Sequence, residues 1–179
     1  MILGIDEIHR LIDEIKLLEN LSERELTTPE GAGIDLRLDK LFRLEGKGFL
    51  GIDERETPKG ILVGEYDPDK KSSVTLNPGD YFLTETVEKL NMPLNLLAIV
   101  KPRTTLQRSG IITRVSVAHS GYSGTIHPAL FNAGPVPVEI ELGARYVHVM
   151  FFEVKGKSNP YRGQWQGGRV DTSGRETQV

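Results

Sequence analysis

The chain has 179 residues, 22 Lys+Arg against 25 Asp+Glu and a formal charge of −3, enough length to bury a real core as one domain. A pI near 5.8 argues against a general nucleic-acid binder, whose phosphate contacts demand a basic surface. With no cysteine, there is neither a disulfide framework nor a thiolate metal site.

The first residues, MILGIDEIHRLIDEIKLLEN, carry acids and no apolar run of membrane-spanning or signal-peptide length, so a cytoplasmic protein is expected. Ile5, Ile8, Ile12, Ile15 and Leu18 recur at helical spacing, with Asp6 and Glu7 in the first turn. They predict one amphipathic helix over 5–19 with His9 exposed. Gly33-Ile34-Asp35-Leu36-Arg37-Leu38 alternates as a half-buried strand does, putting Asp35 and Arg37 on one face, either as cross-strand ion pairs or as catalytic groups. Residues 45–73 read as short strands and loops without chemistry. Val74-Thr75-Leu76, the turn Asn77-Pro78-Gly79-Asp80 and Tyr81 to Val87 read as a hairpin, and Leu96 to Val100 as a buried strand.

Lys101 to Asn132 concentrates the chemistry. Arg103, Thr104, Thr105 and Arg108 group two guanidiniums with two hydroxyls, a set suited to phosphate oxygens, although the same run also reads as a solvated strand end. Ile111 to His119 is rich in β-branched residues and enters the Gly121-Tyr122-Ser123-Gly124 hairpin, placing Tyr122 at a turn where it can stack on a sugar or base. Val136 to Ile140 and Tyr146 to Val154 are further strands around the Leu142-Gly143 turn. The whole is mainly β, a sandwich or barrel over 1–154 with one N-terminal helix. Residues 155–179 form a Gly-, Gln- and Arg-rich arm, expected to be flexible without ligand. Its Trp165 either closes over a ligand or docks on a neighbouring subunit.

Taken together, these pieces resemble the dCTP deaminase and dUTPase superfamily, its archaeal-type dUTPase branch above all. The resemblance rests on the Gly33 to Leu38 strand, the Leu76 to Pro93 segment, Arg103 to Gly110, and Gly121 to Gly124 followed by Asn132. It extends to Leu142 to Phe152 and to Pro160-Tyr161-Arg162-Gly163 with Trp165-Gln166-Gly167. It implies a distorted β-barrel or jelly roll, a homotrimer with active sites at subunit interfaces, and a pyrimidine deoxynucleoside triphosphate as substrate. Arg103, Thr104 and Arg108 would hold the triphosphate with Mg²⁺, with Thr105 beside them and no metal bound directly by protein side chains. Hairpin backbone groups would hold the pyrimidine while Tyr122 packs on the deoxyribose. Tyr161, Arg162, Trp165 and Gln166 would close over the phosphates of a neighbouring site.

The chain departs from the family pattern at both catalytic positions. His119 stands where the dUTPase pattern has the carboxylate that activates water, and Ala129 where the deaminase pattern has a proton-shuttling Glu. A methyl group moves no proton, whereas an imidazole serves as a base near neutral pH. The sequence therefore favours hydrolysis of dUTP to dUMP and diphosphate with His119 as water base. The alternatives are dCTP deamination and a nucleotide-binding homologue without turnover. His148 occupies a position where the dUTPase pattern has Gln, and convergence of His119, His127 and His148 in one pocket would make a rewired base site or a transition-metal site.

Overall fold

The computed structural model describes residues 1–178; Val179, the last residue of the expected arm, lies outside the described residues. In chain order the elements are α1 (Ile5–Ile15), β1 (Leu18–Glu19), α2 (Glu23–Thr27), β2 (Ile34–Glu45), β3 (Phe49–Leu50), β4 (Glu54–Glu56), β5 (Lys59–Glu65), β6 (Ser73–Leu76) and β7 (Tyr81–Thr86). They continue with β8 (Lys89–Asn91), β9 (Leu96–Pro102), α3 (Thr104–Arg108), β10 (Ile111–Arg114), β11 (Ser123–Thr125), β12 (Ala129–Asn132), β13 (Val138–Glu141), β14 (Arg145–Glu153) and β15 (Glu176–Thr177).

The main antiparallel sheet runs β10-β12-β7-β2-β14-β9, with β5 also on β2, and its end strands β10 and β9 approach each other to leave a nearly closed barrel. Register shifts between Leu38 and Lys40, Leu41 and Phe42, and Arg145 and Val147 supply the bends that such closure needs. The alternation in β2 turns Ile34, Leu36, Leu38 and Leu41 inward, where they meet Ala98, Leu130, Val147, Val149 and Phe151, all 0% exposed. Each of the larger side chains contributes about 1.5–3 kcal/mol by leaving water.

Three local expectations are corrected. Helix α1 stops at Ile15 because Lys16 adopts the left-handed conformation (φ 54°, ψ 46°) and its N–H bonds Ile12 O, so Leu18 becomes a strand residue paired with Leu90. The two further short helices, α2 and α3, add to the single helix expected. Strands β6 and β7 form no hairpin with each other: β6 pairs β13 and β7 pairs β12 and β2. The turn itself is present, with Asp80 Oδ2 accepting from Asn77 N at 2.7 Å. It docks on Asn132, whose backbone bonds Gly79 N at 2.8 Å and Asp80 O at 3.0 Å, and this draws β7 alongside β12.

Asp35 and Arg37 do not pair with each other. Each takes its own partner, Arg37 with Glu88 in the β7–β8 connection and Asp35 with Arg145 and His148 across the strand pair β2–β14. His9, expected in solvent, is half-buried, with Nε2 2.9 Å from Glu25 O.

Candidate active site

The hydroxyl and guanidinium cluster is a single helical turn and not a strand end. Pro102 closes β9, Arg103 caps α3 in an extended conformation (φ −68°, ψ 146°), and its N–H donates to Tyr146 O at 2.9 Å. Leu106 is buried and pins the turn, which leaves Thr104, Thr105 and Arg108 exposed on its outer side. Gly110 is required here: at φ 84° an added Cβ would stand 2.6 Å from Gly134 Cα. Arg103 is less free than expected, with Nε 3.4 Å from Asp35 Oδ2.

That carboxylate is the centre of a charge cluster. Arg145 Nη1 lies 3.0 Å from Asp35 Oδ2 and 3.5 Å from Glu25 Oε1, Asp35 N donates to Glu25 Oε2 at 3.0 Å, and His148 Nδ1 is 2.8 Å from Asp35 Oδ1. Burial alone would raise Asp35. The hydrogen bond with His148 and the charges of Arg103, His148 and Arg145 outweigh it and hold the carboxyl below its ordinary value. The hydrogen bond to Asp35 raises His148, against burial.

Linkage fixes the signs. His148 contributes its stability in full below its ordinary value of 6.5, and that contribution is lost as pH rises through the raised folded value. Asp35 contributes above its ordinary value of 3.8, and that contribution is lost as pH falls through the depressed one. Melting temperature measured against pH should therefore decline above neutrality in the native chain, and the part of that decline due to the imidazole should vanish in His148→Gln. An unchanged alkaline limb in the variant would remove His148 from this role.

A cavity beside the Gly121 to Gly124 hairpin lies elsewhere. It measures about 380 Å³ and is walled by Val115 to His119, Tyr122, Ile126 and His127 of the barrel, with Tyr161, Trp165, Arg169 and Val170 of the arm. His119 and His127 both face it. His148 does not, being held at Asp35, and so the expected meeting of three imidazoles is corrected to two. No cluster of three His, Asp or Glu side chains with metal-binding geometry occurs among the described residues.

Tyr122 is buried at 8% exposure; its hydroxyl donates to Thr125 O, and burial pushes it up to about 12. It forms a wall of the cavity. The exposed His119 stacks on Tyr161 with ring centroids 5.7 Å apart and an 8° interplanar angle, and Tyr161 meets the edge of Tyr122 at 5.6 Å. His127 is 13% exposed, with Nε2 3.5 Å from Glu85 Oε2, short of a well-made hydrogen bond and without another partner. Glu85 is a functional candidate that sequence reading missed. It lies opposite His127 only because of the β7–β12 register, and a lone Glu in a Thr-rich strand gives no signal of that.

The arm packs on the hairpin of its own chain. Gly167 N donates to Ser123 O at 2.8 Å and Tyr161 N to Ser120 O at 2.8 Å. The Gln166 amide spans the turn, donating to Gly121 O at 3.1 Å and accepting from Ser123 N at 3.2 Å. Trp165 carries the Arg55 guanidinium 5.2 Å from its ring centroid, and Arg162 is exposed. Gly124 makes this approach possible: at φ 150° an added Cβ would sit 2.4 Å from Gly168 N and 2.7 Å from Gly167 C. Gly124→Ala should release the arm, seen as faster tryptic cleavage after Arg162 and Arg169, at a cost of roughly 1–3 kcal/mol in strain. Native cleavage rates in that variant would contradict the packing.

The described residues thus combine a nearly closed antiparallel barrel, an imidazole-walled cavity at a glycine hairpin and, apart from that cavity, an exposed Arg/Thr turn. Residues 2–154 match the family described as dCTP deaminase-like, and the chain belongs to that family. It is 32% identical over 152 residues to a dCTP deaminase of Pyrococcus furiosus, covering 84% of this chain and 85% of the relative. It is also 32% identical over 142 residues to a probable deoxyuridine 5′-triphosphate nucleotidohydrolase of Methanothermobacter thermautotrophicus, covering 79% and 89%. The fold resembles the crystal structure of 2′-deoxycytidine 5′-triphosphate deaminase from Agrobacterium tumefaciens with a TM-score of 0.65 at 19% identity. That overlap covers 84% of this chain and 47% of the other, so the chain spans about half the length of the solved one. No helix among the described residues is long and apolar enough to cross a membrane.

Proposed function

We propose that this chain processes a pyrimidine deoxynucleoside triphosphate, and that its reaction is deamination of dCTP to dUTP and ammonia. The observation that carries this reading is the cavity beside the hairpin. At about 380 Å³, with imidazoles on an otherwise largely apolar wall, it has the size and chemistry for a pyrimidine nucleoside. The similarity to proteins named dCTP deaminase in Pyrococcus furiosus and Thermococcus kodakarensis supports deamination over the hydrolysis that the sequence alone favours.

In this reading Arg108, Thr104 and Thr105 take the phosphates, with Arg103 positioned by Asp35. None of the four lines the cavity. The phosphate turn of one copy would therefore serve the cavity of another in a homotrimer. Mg²⁺ fits as a companion of the triphosphate: the phosphate turn is cationic and hydroxylic, so phosphate oxygens and water would be its ligands, and it would neutralise phosphate charge. The arm, through Tyr161 and Trp165, excludes water from the cavity mouth, while Gln166 holds the arm to the hairpin.

A second reading, hydrolysis of dUTP, is favoured by Ala129 and by the exposed His119 as water base. Purified protein with Mg²⁺ and either dCTP or dUTP separates the two. Ammonia and dUTP from dCTP are expected. Diphosphate and dUMP from dUTP alone would establish hydrolysis instead, and binding without turnover would place the chain among impaired homologues.

A further inference from the structure

We infer that Glu85 and His127 form the proton relay of this site, replacing the carboxylate missing at Ala129; the inference rests on the deamination reading above. His127 and Ala129 lie two residues apart on one face of their segment, and the register pairing Ala129 with Leu83 sets Glu85 opposite His127. The side chain of Ala129 is a buried methyl, so no proton can be handled from that position.

The two carboxylate oxygens have separate roles. Oε1 is held by Lys40 Nζ at 3.4 Å and Thr125 Oγ1 at 3.3 Å, while Oε2 faces His127 Nε2 at 3.5 Å. Burial would raise Glu85, and His127 and Lys40 outweigh it, so the carboxyl stays ionised and lower than usual. An ionised carboxylate beside Nε2 favours the tautomer with hydrogen on Nε2 and leaves Nδ1 as the proton acceptor. This is the arrangement in which a carboxylate orients an imidazole to act as a base. His119 differs on both counts, being exposed and stacked against Tyr161.

With cytosine in the cavity, water adds through oxygen to C4 as Nδ1 of His127 takes one of its protons and delivers it to ring N3. The proton left on the new hydroxyl then passes, again through His127, to the exocyclic nitrogen. The C4–N bond breaks, ammonia leaves and C4 becomes a carbonyl. One water proton ends on N3 and one on ammonia, and no oxidant or metal is consumed. The charged and titratable groups around this step are Glu85 against His127 with Lys40 against Glu85, and on the cavity wall His119 and Tyr122 from the hairpin and Tyr161 and Arg169 from the arm.

The test compares native protein with His127→Gln and Glu85→Gln in dCTP turnover and in equilibrium dCTP binding. His127→Gln should lower kcat about 10²–10⁴-fold with KM changed less than about threefold. Glu85→Gln, removing a positioning group, should lower kcat by roughly 10–100-fold with KM changed less than about threefold. In the native protein, the backbone-assigned imidazole ¹⁵N signals of His127 should shift on adding dCTP. Ammonia release by either variant at the native rate, or ¹⁵N signals indifferent to dCTP, would overturn the relay and leave the deaminase reading standing. Native protein that releases no ammonia from dCTP would overturn both.

Discussion

Arg108→Ala should lower kcat/KM for the deoxynucleoside triphosphate about 10²–10³-fold, the usual consequence of removing one preorganised donor to developing or bound negative charge. The side chain sits at the C-terminal end of α3, exposed and in no ion pair among the described residues, so its removal leaves the barrel core untouched. A mixing experiment gives this prediction its sharper form. Ser116→Trp, placed on the cavity wall, blocks the other half of the site by bulk. Each variant alone should be nearly inactive. If phosphate turn and cavity come from different copies, subunits mixed at equal ratio and reassembled should recover about a quarter of the native rate, the chance that a site draws two intact halves. No recovery on mixing would place both halves in one chain and remove the interface site.

The same two halves show what the sequence made legible. The composition of Arg103 to Arg108 pointed to phosphate whatever its conformation, because charge and hydroxyls carry that chemistry. Its conformation was misread because paired threonines favour a strand locally. In place, Pro102 ends the strand and buried Leu106 anchors a helical turn. Asn132 was legible only as the residue that follows the hairpin in the family pattern. Its amide in fact donates to Leu76 O at 2.8 Å and Val136 O at 2.9 Å, binding the Asn77 to Asp80 turn region to the next loop. That web is why β6 and β7 part company after a well-formed turn.

The histidines divide in the same way. His119 was singled out by its place in the family pattern, three residues before Tyr122 of the hairpin. Assigning His127 and His148 required knowing which strand lies next to each, and a period of two says which face a residue occupies without saying what stands opposite. His148 was drawn to Asp35 across β2 and β14, and His127 to Glu85 across β7 and β12. The arm shows the opposite case. Its low apolar content offers no packing pattern to read, and its contacts with the hairpin are backbone bonds and the Gln166 amide, a form of cohesion that hydrophobic patterning does not register.

The largest effect on stability is expected at a residue outside the site. Glu88 is fully buried, and burial raises its carboxyl against the opposing pull of Arg37. Oε1 accepts from Arg37 Nε at 2.7 Å and Oε2 from the Arg37 backbone N–H at 2.7 Å, while the same guanidinium reaches Asn20 O. One pair thus ties β2 to the β7–β8 connection and to the segment after α1. Arg37→Ala leaves the backbone donor but strips the charge, exposing a buried carboxylate to its full desolvation cost. The loss should be roughly 3–5 kcal/mol, a fall in melting temperature of about 6–20 °C for a domain of this size. Replacing both partners distinguishes charge from packing. Arg37→Met with Glu88→Leu should recover most of the loss, since two apolar groups of similar volume need no compensation for desolvation. A single variant that melts within about a degree of the native protein would show that water reaches Glu88 and that the pair contributes little to the barrel.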